Sequence, residues 1–152
     1  MATLPLALLL LRASRWFDQQ LLEGLQRAGW PTLSPAQSLV FAYLDPAGIP
    51  PAELARRLGH SRQATQQLLN GLVALDLLAL RPNPARRGGL LVTLTDRGQS
   101  LTRDARRLLA GLEHDLGARR VEQLRSLLDL FDPTGGADPR GPARRSPEPV
   151  VR

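Results

Sequence analysis

Cysteine and lysine are absent from these 152 residues, and the chain has six aromatic side chains and two histidines. Each shortage removes a class of chemistry. Without cysteine there is no disulfide framework, no thiol nucleophile, no thiolate metal site and no thiol-based redox switch. The two histidines, His60 and His114, stand far apart in the chain, so no histidine-rich metal cluster is expected and no cofactor is assigned. Ser–His–Asp spacing and a phosphate-cradling glycine loop are both missing, which argues against an enzyme. No apolar run approaches the ~20 residues of a membrane span. The apolar stretch 4–11 is followed at once by Arg12 and Arg15, whereas a secretory signal has its basic region first, so a cytoplasmic protein is expected.

What remains is rich in leucine, with 33 positions, and in arginine, which supplies all 20 basic residues against 14 acids. Abundant leucine and alanine with few β-branched residues favours helices. The net charge of +6 is compatible with an anionic partner. Its distribution says more. Residues 50–107 hold ten arginines against four acids, a net +6 equal to that of the whole chain. A basic patch confined to one segment is the electrostatic footprint of a nucleic-acid binder.

The chain opens with a leucine-loaded helix, started by Thr3 and Pro5 and running to about residue 28, where Gly29 and Pro31 end it. So many leucines around its first turns exceed the single apolar stripe of a surface helix and point to burial against a second chain. Ser34 caps a helix over 35–44 with Pro35 in its first position. A turn at 45–48 leads to a helix that starts at Pro50-Pro51-Ala52-Glu53 and closes at Gly59. Ser61 caps the next helix, 62 to about 75, whose inward stripe is Thr65, Leu68, Leu69, Leu72 and Leu75. Residues 77–82 and 90–94 read as two strands around a loop carrying Arg86, Arg87 and a glycine pair. Thr95 caps a long helix over 96–116, Gly117 breaks it, and 119–131 forms a last helix. The proline- and glycine-rich segment 133–152 is expected to be disordered, because it has too little apolar surface to offset its ordering entropy.

Two helices joined by Gly59-His60-Ser61 have the helix-turn-helix spacing, and the two strands that follow supply a wing. With the leucines of the second helix facing inward, Gln63, Gln66, Gln67 and Asn70 face out. Their amides can pair bidentately with adenine in the major groove. Ser61 and Arg62 stand at the first turn, where a phosphate contact would fix the helix. Arg86 and Arg87 at the wing tip suit the negative potential of a minor groove. The architecture expected is mainly α with a two-stranded β-wing.

The residues Leu33-Ser34-Pro35-Ala36-Gln37, Glu53-Leu54-Ala55-Arg56-Arg57-Leu58-Gly59, Ser61-Arg62-Gln63-Ala64-Thr65, Leu80-Arg81-Pro82-Asn83-Pro84-Ala85-Arg86-Arg87 and Leu94-Thr95-Asp96-Arg97-Gly98 appear in order. Together they resemble the MarR family of bacterial transcription regulators across roughly residues 15–130. The resemblance implies a homodimer paired through its first and last helices, with N-terminal dimerisation helix 1–30, winged helix-turn-helix 33–95, and long and dimerisation helices 96–132. It implies a repressor on a pseudo-palindromic double-stranded DNA operator, released by a small aromatic effector. Five of the six aromatics lie within 16–43, and the effector contacts named are Trp16, Trp30 and Tyr43. The alternative is a winged helix used for protein interaction or dimerisation without sequence-specific DNA binding. Two positions depart from the family pattern. Ala85 stands where an acid usually braces a wing arginine, so a looser wing is expected. Asp76 stands where glycine usually ends the second helix, and because aspartate tolerates the left-handed region the turn is expected to survive.

Overall fold

Proline and glycine set the limits of the first helix, α1 (Leu6–Arg27). Pro5 precedes it, and the Pro5 carbonyl accepts from the Leu8 and Leu9 amides at 3.0 and 3.2 Å. Gly29, at φ +89°, ends it, with the Trp30 amide returning to the Leu25 carbonyl at 3.0 Å. The computed structural model describes residues 4–131, so Thr3 and the segment 133–152 lie outside the described residues.

Helix α2 (Pro35–Ala42) begins with a full capping box. The Gln37 amide donates to Ser34 Oγ at 3.1 Å, and the Ser34 amide donates to Gln37 Oε1 at 2.9 Å. It ends two residues before the expected limit, because Tyr43 leaves helical geometry and its amide turns back to the Val40 carbonyl. The turn at 45–48 forms as expected, with the Gly48 amide donating to Asp45 at 2.9 Å. Helix α3 (Pro51–Leu58) closes at Gly59 in the left-handed region. Helix α4 (Arg62–Ala74) is capped by Ser61, whose Oγ accepts from the Ala64 amide at 3.1 Å. Thr65 is the buried polar side chain of its inward face, and its hydroxyl is satisfied by the Ser61 carbonyl at 3.0 Å.

Asp76 leaves α4 at φ +57°, so the turn survives without glycine, as the residue type predicts. Strands β1 (Leu78–Pro82) and β2 (Leu90–Leu94) pair antiparallel, Leu78 opposite Leu94 and Pro82 opposite Leu90. The expected first strand began one residue earlier. Leu77 is instead fully buried, and its carbonyl accepts from the Thr95 amide at 3.2 Å. Ile49 adds a one-residue bridge to the far edge of β2, exchanging both backbone hydrogen bonds with Val92 at 3.1 and 2.8 Å. Gly48 permits this approach: a Cβ there would lie 2.9 Å from Thr93 Cγ2.

Helix α5 (Asp96–Leu116) has the expected bounds, with Thr95 Oγ1 accepting from the Gly98 amide at 2.9 Å. Leu25, Leu33, Val40, Ile49, Leu54, Leu69, Leu72, Leu77, Val92 and Leu101 form the core, drawing on nearly every element up to α5. This core belongs to the first of two compact units, which ends at Leu112. The second begins at Glu113 and holds α6 (Ala118–Leu128). Where one helix to residue 131 was expected, the α-helix stops at Leu128 and Asp129–Phe131 forms a 3-10 turn. None of the α6 residues is buried, and Leu124, Leu127, Leu128, Leu130 and Phe131 are 44–61% exposed. Among the described residues, no helix is long and apolar enough to cross a membrane.

Candidate nucleic-acid interface

Helix α4 carries two faces of opposite character. Thr65, Leu69 and Leu72 are buried, whereas Arg62, Gln63, Gln66, Gln67 and Asn70 are exposed. Steps of three and four residues bring the amides onto one side. The helix therefore presents an uncharged carboxamide face, anchored from behind by leucine packing. Gln66 and Asn70 are joined: Gln66 Nε2 donates to Asn70 Oδ1 at 2.8 Å. Gln67 sits at the edge of the face, where it also borders a small groove with Ser34, Gln37 and His60. The Oγ of Ser61 already accepts the helix cap, which leaves its hydroxyl hydrogen for an external acceptor.

The wing tip is a closed loop with its own internal bonds. The Asn83 amide donates to the Gly89 carbonyl at 2.9 Å, and the Arg86 amide donates to the Asn83 carbonyl at 3.2 Å. The Ala85 amide donates to the Asn83 side chain at 2.9 Å, a turn in which a short polar side chain stands in for backbone. Asn83 thus organises a loop in which the family's usual acid is missing. It was not among the expected site residues, although asparagine three residues before the arginine pair is the turn signal that marks it. Arg86 and Arg87 project from this loop and are exposed.

The arginines of residues 50–107 differ in how far they are engaged within the chain. Arg56 and Arg57 both count in the +6 of residues 50–107, yet both are engaged within the chain. Arg56 binds Glu53 through two bonds of 2.6 and 2.9 Å, and Arg57 bridges Glu53 and Asp45, each at 3.1 Å. Among the described residues of this segment, Arg62, Arg81, Arg86, Arg87, Arg97, Arg103 and Arg106 make no ion pair, so available charge sits at the start of α4, along the wing and on α5. Hydrogen bonds from Arg56 and then Arg57 pull the Glu53 carboxyl from its ordinary 4.5 to about 2. A depressed carboxyl stabilises the fold above its unfolded value and loses that contribution as pH falls through its folded value. Glu53→Gln should therefore lower the urea midpoint above about pH 4.5, and the gap from the native chain should shrink between 4.5 and 2. A gap that stays constant with pH would assign the effect to something other than the carboxylate.

A cavity of about 940 Å³ lies beside the interface, bounded by α1, α2, the segment joining them and α5. Phe17 and Phe41 line it, with Arg15, Arg106 and His60 at polar positions. The expected trio of Trp16, Trp30 and Tyr43 does not. Trp16 is 43% exposed and stacks edge-on against Phe17 at 5.0 Å. Tyr43 is 37% exposed at the end of α2. Trp30 spends its only side-chain donor on Asp104 Oδ2 at 2.9 Å, under the Arg97 guanidinium 5.9 Å from the ring centroid. Helical spacing accounts for Phe17 lining the cavity: it shares a face of α1 with Leu21 and Leu25, and Trp16 does not.

Residues 32–87, from the entry of α2 to the wing tip, match the model of the MarR family. An uncharacterized protein of Mycobacterium tuberculosis strain H37Rv, Rv2011c, is 32% identical over 123 residues, covering 81% of this chain and 73% of its own. The reduced form of MarR from E. coli superposes with a TM-score of 0.69 at 27% identity, covering 88% of this chain and 100% of that one. The transcriptional repressor CouR, solved on a 23-mer DNA duplex, gives 0.62 at 25% identity, over 84% of this chain and 92% of its own. The M. tuberculosis MarR family protein Rv2887, solved with salicylic acid, gives 0.59 at 25% identity, over 85% and 97%. The helix-turn-helix, the wing and these likenesses agree: the chain belongs to the MarR family of winged helix-turn-helix transcription regulators.

Proposed function

We propose that the protein is a cytoplasmic, homodimeric repressor that reads a pseudo-palindromic DNA operator and is released by a small aromatic effector. One observation carries the DNA reading: an uncharged carboxamide face on α4, flanked by unpaired arginines at the helix start and the wing tip. Gln63, Gln66, Gln67 and Asn70 meet base edges in the major groove, Ser61 and Arg62 meet phosphate, and Arg86 and Arg87 enter the adjacent minor groove. The exposed leucines of α1 and of α6 serve pairing of two copies, each offering one wing and one reading helix to a half-site. The effector occupies the cavity bounded by Phe17 and Phe41, in place of the contacts expected at Trp16, Trp30 and Tyr43. Support comes from the DNA bound to CouR and the salicylic acid bound to Rv2887.

Mobility-shift titrations on DNA upstream of the protein's own coding sequence test this function over a salt series. Specific binding should exceed binding to scrambled DNA by roughly 10³-fold or more. Equal affinity for both at every salt concentration would end it. Within the specific complex, Gln66→Ala should relax discrimination at one base pair by about 1–3 kcal/mol. If preference there is untouched, base readout lies elsewhere on the helix.

A further inference from the structure

The four outward amides of α4 are not equivalent. Gln66 Nε2 donates to Asn70 Oδ1 at 2.8 Å, one helical turn further on, whereas no side-chain hydrogen bond among the described residues holds Gln63 or Gln67. A primary carboxamide has two N–H hydrogens and one oxygen. With one hydrogen committed to Asn70, Gln66 keeps its other N–H and Oε1. That donor and acceptor match the N7 acceptor and N6–H donor that adenine shows in the major groove. A free glutamine must freeze several torsions on binding, and one already held has less entropy to lose. Asn70 has the shorter side chain, and its oxygen is engaged with Gln66.

We propose that Gln66 is the adenine-reading residue of α4 and Asn70 its positioning residue, so that the hydrogen-bonded pair reads one A·T base pair as a unit. The inference rests on the DNA-reading function above. It departs from that reading by taking Asn70 away from direct base contact. The conclusion is a specificity device: the base pair is chosen by an amide whose orientation is set before DNA arrives.

Selection from a randomised duplex tests it, using the full-length chain and the variants Gln66→Ala, Asn70→Ala, both together, and Asn70→Asp. The native chain should enrich A·T at one defined position in each half-site. Asn70→Ala should weaken that preference about tenfold and leave other positions unchanged. The double variant should be no worse there than Gln66→Ala alone. Asn70→Asp keeps an oxygen acceptor for Gln66, so it should retain the preference while lowering affinity on every sequence through its negative charge. Loss of selectivity at a different base pair in Asn70→Ala, or multiplicative losses in the double variant, would overturn the pairing and leave the DNA-reading function standing. Enrichment of no sequence by the native chain would overturn both. Thermal melts of each variant matched to the native chain exclude misfolding, which these exposed positions make the expected result.

Discussion

Gly98→Ala should be the most damaging alanine substitution among the described glycines. A Cβ at Gly98 would sit 2.0 Å from the Leu77 carbonyl oxygen and 3.0 Å from its carbonyl carbon, with Leu94 Cδ2 at 3.1 Å. The obstruction is backbone and cannot rotate away. Nor is that backbone free to shift. Leu77 is fully buried, its carbonyl accepts from the Thr95 amide at 3.2 Å, and the adjacent Asp76 carbonyl accepts from the Thr95 hydroxyl at 2.6 Å. Overpacking typically costs 1–3 kcal/mol, and a rigid obstacle puts this site at or above the upper end, about 3 kcal/mol or more. Melting should fall by roughly 10 °C. Gly111→Ala on the same helix is the control, because a Cβ there meets nothing within 4 Å and should stabilise by about 0.5–1 kcal/mol. Equal melting temperatures for Gly98→Ala and the native chain would mean that α5 does not start against Leu77 as described.

Arg86→Ala combined with Arg87→Ala should produce the largest functional loss. Each arginine that neutralises a phosphate contributes about 0.9 to the slope of log affinity against log salt, so the double variant should flatten that slope by nearly 2. At low salt, binding should weaken by roughly 10²-fold, since a hydrogen bond to a charged group is worth about 1.5–3 kcal/mol. The loss should extend to operator and scrambled DNA alike, because the negative potential that draws the two arginines into a minor groove comes from phosphates present on every sequence. Folding should be unaffected. The loop is closed by backbone bonds of Asn83, Arg86 and Gly89 that alanine preserves. An unchanged salt slope would remove the wing tip from the interface, and a loss confined to operator DNA would give it a base-reading role instead.

Local signals in the sequence located most of the framework. The Ser34 and Ser61 caps, the left-handed Gly59 and Asp76, and the Thr95–Gly98 start of α5 all formed where residue chemistry requires them. These features depend on atoms within a few residues of one another. The misses depended on distant partners. Ile49 pairs with Val92 by a single bridge, too short to leave any periodicity. Leu77 extends the apolar pattern of β1, but the arrival of α5 turns it into core. The pairing of Arg56 with Glu53 was legible as a three-residue spacing, whereas that of Arg57 with Asp45, twelve positions away, was not. The aromatic cluster at 16–43 announced an apolar site, but which rings turn into the cavity follows from the rotation of α1 and from the donor that Trp30 gives to Asp104.

The Ile49–Val92 bridge makes the wing a lever with a clamped base. Val92 lies five residues from Arg87 along β2 and the loop, about 16 Å at the rise of an extended strand. A rotation of about 10° at the clamp would carry the arginine tip by about 3 Å, half the ~6 Å width of a DNA minor groove. Residue 49 follows directly on the turn that leaves α2, the helix whose Phe41 lines the cavity. A shift of α2 too small to disturb any core contact would thus be magnified at the arginines, turning a small displacement near the cavity into a larger one at the wing tip.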